Sequence, residues 1–177
     1  MVSMRIDISP GNSSWEAAEK LLDIVWPDDV VATLAWRDVK WAHADQRVMV
    51  REDAPPHELV CHVGLFTRTA LWNDREVTIG GIGGVATHPS KRKSGIATAA
   101  MQTAVQCFAR EDKDFAVLFC EPHNFAFYRN LGWHRFEGDV FVEQPQGRVR
   151  FEVMAPFVYD LKLAPRSGII DLRGLPW

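Results

Sequence analysis

Thr78-Ile79-Gly80-Gly81-Ile82-Gly83-Gly84-Val85-Ala86-Thr87 runs into His88-Pro89-Ser90-Lys91-Arg92-Lys93-Ser94 and then Gly95-Ile96-Ala97. The first ten residues read as a glycine-rich strand and the next seven as a basic loop. After Gly95, the apolar residues Ala97, Ala100, Met101, Ala104, Val105 and Phe108 recur at helical spacing. Strand, basic Gly-containing turn and helix N-terminus together make an anion cradle. The first N–H groups of a helix lack internal partners, and the helix dipole favours negative charge there. Arg92 and Lys93 add formal positive charge beside it. The alternative for such a loop is a solvated basic turn.

The chain around this stretch has 177 residues, 47% hydrophobic and 24% charged, enough for one domain with a real core. Its net charge of −3 argues against a general nucleic-acid binder. Cys61, Cys107 and Cys120 are widely spaced and odd in number, which suits buried thiols in a reducing compartment rather than a disulfide framework. The first ten residues carry no signal-peptide pattern, and no run is long and apolar enough to span a bilayer. A cytoplasmic protein without membrane or nucleic-acid partners is expected.

Ser13 or Ser14 is placed to cap a helix from Trp15 to Val25, which Trp26-Pro27 ends. A short helix is expected within Val31–Asp38. Trp26, Trp36 and Trp41 crowd this region, either as core anchors or as the wall of a ligand pocket. Strands are expected at Arg47–Arg51, at Leu59–Thr69 with a possible extension to Trp72, and at Glu76–Thr87, with Asn73-Asp74 as a hairpin turn. Phe115–Cys120 is a continuous apolar run, as in a strand buried on both faces beside a parallel neighbour. A short helix follows from His123 to Leu131, with Gly132 as its C-terminal stop. Trp133–Phe136, Val140–Glu143 and Phe151–Leu163, the last interrupted at Pro156, complete the strands. The tail carries Ile169, Ile170, Leu172, Leu175 and Trp177, too apolar to be free in water, so it is expected to dock.

Arg92-Lys93-Ser94-Gly95-Ile96-Ala97 resembles the Arg/Gln-x-x-Gly-x-Gly/Ala signature of the GNAT acyltransferase superfamily. Asn124-Phe125-Ala126-Phe127-Tyr128-Arg129-Asn130-Leu131-Gly132-Trp133 resembles its second signature, Asn-x-x-Ala-x-x-Phe-Tyr, except that Ala126 directly precedes Phe127-Tyr128. The resemblance implies one α+β domain over residues 1–177. Its sheet is mixed and mostly antiparallel, with splayed central parallel strands and flanking helices. It implies acetyl-CoA as cofactor, a small-molecule amine acceptor and, as often in this family, a homodimer. Val85, Ala86 and Thr87 would pair with pantetheine. Arg92, Lys93, Ser94, Gly95, Ile96 and Ala97 would hold the pyrophosphate. Asn124 would touch the pantetheine arm. Tyr128 would protonate the leaving thiolate, where an average Tyr in a short helix would simply pack. A CoA- or small-molecule-binding module without turnover is the alternative.

Three stretches are similar to the aminoglycoside 2′-N-acetyltransferases: Cys61–Arg68, which also resembles the nodulation N-acyltransferases, Gly84–Thr87 with its basic loop, and Ile170–Trp177. Those enzymes carry a Glu where this chain has Gly83, and an acid where Leu175-Pro176 stand. A polycationic acceptor is therefore not expected. Four glycines in one strand suggest close approach to its backbone, by an acceptor or acyl group over Gly83. The resemblance puts Asp171 and Trp177, with its carboxylate, on the acceptor side. His62 is either a core histidine or a proton relay. Glu121 is either the missing base or a cap for the next helix. Cys120, ending a buried strand, reads as inert. The six histidines show no metal-ligand spacing.

Overall fold

The computed structural model describes residues 2–177. The order is β1 (Met4–Pro10), α1 (Gly11–Val25), α2 (Asp28–Val31), β2 (Gln46–Glu52), β3 (Leu59–Trp72), β4 (Arg75–Thr87), α3 (Ile96–Arg110), β5 (Phe115–Cys120), α4 (Phe125–Asn130), β6 (His134–Arg135), β7 (Asp139–Gln144), β8 (Gly147–Arg150), β9 (Ala155–Asp160) and β10 (Ile169–Asp171). The expected long strands and the helix after Gly95 are present. β1 was not foreseen, and the strand expected over Phe151–Leu163 resolves into β8 before it and β9 within it. The short helix near residue 31 lies earlier than expected, as α2.

All strands join one mixed sheet whose main path is β6-β9-β5-β4-β3-β10-β7-β8. Pairing is antiparallel except between β4 and β5 and between β10 and β7. β3 is the spine. One edge pairs with β4 along almost its whole length. The other edge is shared, with β2 on Leu59–Leu65 and β10 on Leu71–Trp72. Thus the tail docks as expected, as a strand of the sheet.

Strand alternation sorts the core into two layers. Val63, Leu65, Leu118 and Cys120 face α3, Tyr128 and Trp133. Phe66, Val117 and Phe119 face the opposite way, toward Phe151, Trp177 and the segment around Trp41. Helix α1 begins at Gly11, because β1 leads directly into it and Gly11 N–H donates to Asp45 O. Pro10 is therefore the N-cap, and Ser14 lies inside the helix with its hydroxyl donating back to Pro10 O.

Two glycines of β4 exist because Trp177 lies on them. A Cβ on Gly81 would meet the indole Cε2 at 2.1 Å, and one on Gly83 would meet the main-chain carbonyl carbon of Trp177 at 2.8 Å. Gly80 makes the same allowance for the Phe108 ring of α3 on the other face. The close approach expected from an acceptor or acyl group thus comes from the chain itself.

Candidate active site

β4 and β5 pair only from Ile79/Phe115 to Ile82/Leu118. Beyond that register they part, and the β4 backbone from Gly83 to Thr87 has no strand on its β5 side. A bulge in β4 shapes this end. The pairing with β3 shifts between Gly64↔Gly83 and His62↔Ala86, with Gly84 at φ +60°. Only glycine takes that conformation readily.

His62 holds the bulge. Its Nδ1 lies 2.7 Å from Gly84 O and its Nε2 lies 2.9 Å from a guanidinium nitrogen of Arg47. Arginine can only donate, so Nε2 accepts and the proton resides on Nδ1, donating to Gly84. The ring is 1% exposed, and burial pulls its pKa down to about 4 from 6.5, opposed by the Gly84 bond and aided by Arg47. Both nitrogens are engaged and the ring is neutral, so His62 cannot relay a proton from an acceptor. It positions the β4 backbone instead. Arg47 is itself 5% exposed, stacks over Trp15 at 5.0 Å and forms no ion pair among the described residues.

This fixes a pH dependence. A histidine whose folded pKa lies below its unfolded value stabilises fully above about pH 6.5. That contribution is lost as pH falls from 6.5 toward 4, by on the order of 3 kcal/mol for a shift of this size. Urea midpoints should drop across that window, and His62→Gln should flatten the slope while lowering stability at pH 7. Equal slopes in the two proteins would refute this account.

The cofactor loop has the geometry of an anion cradle. Lys93 and Gly95 both have positive φ, 61° and 80°, flanking Ser94. Gly95 is the N-cap of α3 and supplies no side-chain cap, and the first internal bond of the helix runs from Ala99 N–H to Gly95 O. The amides of Ile96, Ala97 and Thr98 therefore have no partner within the helix. A Cβ on Gly95 would meet no heavy atom within 4 Å, so the turn that leads into these amides is open at Gly95. Arg92 Nε donates to Thr87 O at 3.4 Å, tying the loop to the end of β4. Val85, Ile96 and Ala97 pack partly into the α3 layer, and Ala86 is buried opposite His62. Asn124 is half-buried, and its side chain makes no hydrogen bond among the described residues.

Tyr128 spans the parting on the α3 side. It is 7% exposed, and the thiols of Cys120, at the end of β5, and Cys61, opposite Thr87 of β4, lie near it. Burial raises its pKa, and the two thiols raise it further, so the phenol stays protonated. The hydroxyl has no protein partner, yet no buried side-chain oxygen among the described residues is left unpaired, so its tip reaches open space. Burial also pushes Cys120 up to about 12 and Cys107 up to about 11, which keeps both as inert thiols.

On the other face, Glu121 follows Phe119 by two residues in extended backbone, so alternation turns it toward the Trp177 side. It is half-buried, forms no ion pair and does not cap the turn that follows, which removes the capping alternative. Trp177 lies flat on Phe66 at 5.4 Å, donates from Nε1 to Val117 O at 3.0 Å, and carries the Arg68 guanidinium over its ring. Sequence reading missed both Arg47 and Arg68. Their partners are 15 or more positions away, so no local pattern marks them.

Asp171 belongs elsewhere. It pairs with Leu71 at the hairpin end of β3, seven residues from Gly64 opposite Gly83, roughly 24 Å along an extended strand. Its carboxylate accepts from Arg148 Nε at 2.8 Å and from Arg173 N–H at 2.9 Å, so it is also neutralised. Asp171 is therefore not an acceptor-side residue. Gly83 offers no contact surface of its own, because Trp177 lies against it.

An uncapped helix N-terminus beside two parting parallel strands is joined here by the matching sequence model. The model for the acetyltransferase (GNAT) domain matches residues 9–136, well over half the chain. The chain belongs to this family. Solved GNAT structures share the fold. One is a GNAT family N-acetyltransferase (YhbS) from Escherichia coli in complex with CoA, with TM-score 0.67 and 14% identity, covering 98% of this chain and 91% of that one. Another is a GNAT family acetyltransferase from Brucella melitensis in complex with acetyl-CoA, with TM-score 0.58 and 13% identity, covering 96% of each chain. A third is a GCN5-related N-acetyltransferase from Kribbella flavida, with TM-score 0.58 and 18% identity. It matches 78% of this chain, which spans only 34% of that longer one. Comparison with curated proteins gives no match. Among the described residues of this GNAT chain, no helix is long and apolar enough to cross a membrane.

Proposed function

We propose that the chain is an acetyl-CoA-dependent N-acetyltransferase acting on a primary amine of a small molecule, by direct transfer while both substrates are bound. One observation carries this reading: the open cradle at Gly95 and the protonated Tyr128 flank the same parting of β4 and β5. Acetyl-CoA supplies the thioester carbonyl that the amine attacks. The amides of Ile96 to Thr98, with Lys93 and Arg92, hold the pyrophosphate by hydrogen bonds and charge. The backbone of Val85 to Thr87 and the free amide of Asn124 line the parting for the pantetheine arm. As the C–N bond forms and the C–S bond breaks, Tyr128 gives its proton to the departing sulfur. Glu121, on the opposite face and unpaired, takes the proton that the amine nitrogen loses.

The second reading is a module that binds CoA or a small molecule without turnover, and the missing acid at Gly83 favours it. Thiol release from acetyl-CoA over a broad panel of amines, beside calorimetric titration with CoA, separates the two. Release with at least one amine supports the enzyme. Binding with no release on any amine supports the module, and no binding removes both.

A further inference from the structure

We infer that Trp177 sets the length of the acyl group, its indole filling the trough over Gly81 and Gly83 into which a chain longer than acetyl would extend. This rests on the acyltransferase reading above and names the donor class of the same site.

Three directions are open to an acyl chain at the closed end of the parting, and two are blocked by the sheet and its core. Under the reading above, the donor enters from the Thr87 end, where Arg92 ties the basic loop to β4. Its thioester then lies beside Tyr128. Straight ahead, β4 and β5 still pair at Ile82/Leu118, so a chain cannot run on between the strands. Toward α3, Ile82 and Leu118 are each 1% exposed and pack in one layer with Tyr128. On the opposite face, alternation presents Gly81 and Gly83 from β4, which bring no side chain, beside Val117 and Phe119 from β5. Two such glycines leave a trough about 7 Å long on that face.

Trp177 occupies the trough. A Cβ on Gly81 would meet its Cε2 at 2.1 Å and its Cζ2 at 2.4 Å, and a Cβ on Gly83 would meet its own Cβ at 3.3 Å. The indole stacks on Phe66 with 17° between the planes and bonds Val117 O through Nε1 at 3.0 Å. It is 4% exposed. These contacts are to the strands themselves, so the ring is held by the most rigid part of the fold. Without the indole, the walls that remain are the Phe66 and Phe119 rings, Val117 and the glycine backbone. Walls of this kind close in only partly, and the apolar cavity that results takes apolar groups.

The consequence is a chain-length dependence of donor binding. A methylene that enters an apolar slot is worth about fourfold in affinity, whereas one left in water is worth nothing. A blocked trough therefore gives no gain with length, and an emptied one does. Loss of packing alone weakens all donors together and leaves their ratio unchanged.

Calorimetric titration with acetyl-CoA, butyryl-CoA and hexanoyl-CoA tests this without an amine. In the parent, hexanoyl-CoA should bind no tighter than acetyl-CoA. In Trp177→Ala, it should bind at least tenfold tighter, as burial of about two methylenes gives. Trp177→Leu keeps an apolar side chain against Phe66 and serves if the alanine variant does not fold; there the gain should be about fourfold. A parent whose affinity rises with chain length already has an open slot, which overturns the inference. An unchanged ratio in a folded variant overturns it too. In both cases acetyl-CoA binds and the acyltransferase reading stands. If neither variant folds, the parent series decides. If no donor binds the parent, both readings fall.

Discussion

Gly95→Val should bind CoA at least a hundredfold more weakly than the parent, while melting within a few degrees of it. The Cβ position at Gly95 is empty to 4 Å, so the side chain has room, and the fold survives. The room is what matters, because a branched side chain there covers the unpartnered amides of Ile96 to Thr98. The substitution also places a β-branched residue at φ +80°, which costs about 1–2 kcal/mol and bends the loop away from its cradle shape. A hundredfold loss corresponds to about 2.7 kcal/mol of binding. Calorimetry with CoA and a thermal melt are sufficient. A folded variant with parental affinity would show that the pyrophosphate is not held by α3.

Tyr128→Phe should lower turnover by roughly ten- to a thousand-fold with CoA affinity nearly unchanged, as expected when a single general acid is lost. The ring packs in the α3 layer, and Phe keeps that packing, so stability should hold. Because burial raises the phenol pKa, the wild type should show no loss of rate assignable to Tyr128 on the alkaline side below about pH 10. Intact turnover in the variant would mean that water protonates the sulfur.

The parts legible in the sequence are those encoded locally. β4, the basic loop and α3 follow from glycine, charge and a period of 3.6 within twenty consecutive residues. β5 follows from six apolar residues in a row. β1 was illegible because it is an edge strand with Arg5 and Asp7 on an exposed face, paired with each other and not with a core. His62 resolves only when Arg47 and Gly84 arrive from different strands. The glycines of β4 were read correctly as a sign of close approach. The approaching group comes from the other end of the chain, and no local pattern could reveal it. Asp171 failed for a related reason. Its distance from the parting depends on the register of β10 against β3, which two residues determine.

The placement of Trp177 has a consequence in chain-closure entropy. Bringing it back to Gly81 closes a loop of roughly 96 residues, whereas from Asp171 the loop is only about six, a difference near 2.5 kcal/mol. β10 supplies that shortening, and Arg68 tightens it by donating to Leu172 O and Leu175 O at 3.2 and 3.0 Å. The indole therefore stays over Gly81 and Gly83 because a short strand grips β3 at the hairpin end of the sheet. That distant grip adds to the Val117 bond and the Phe66 stack, so loosening β10 weakens the placement of the indole without touching any residue that lies against it.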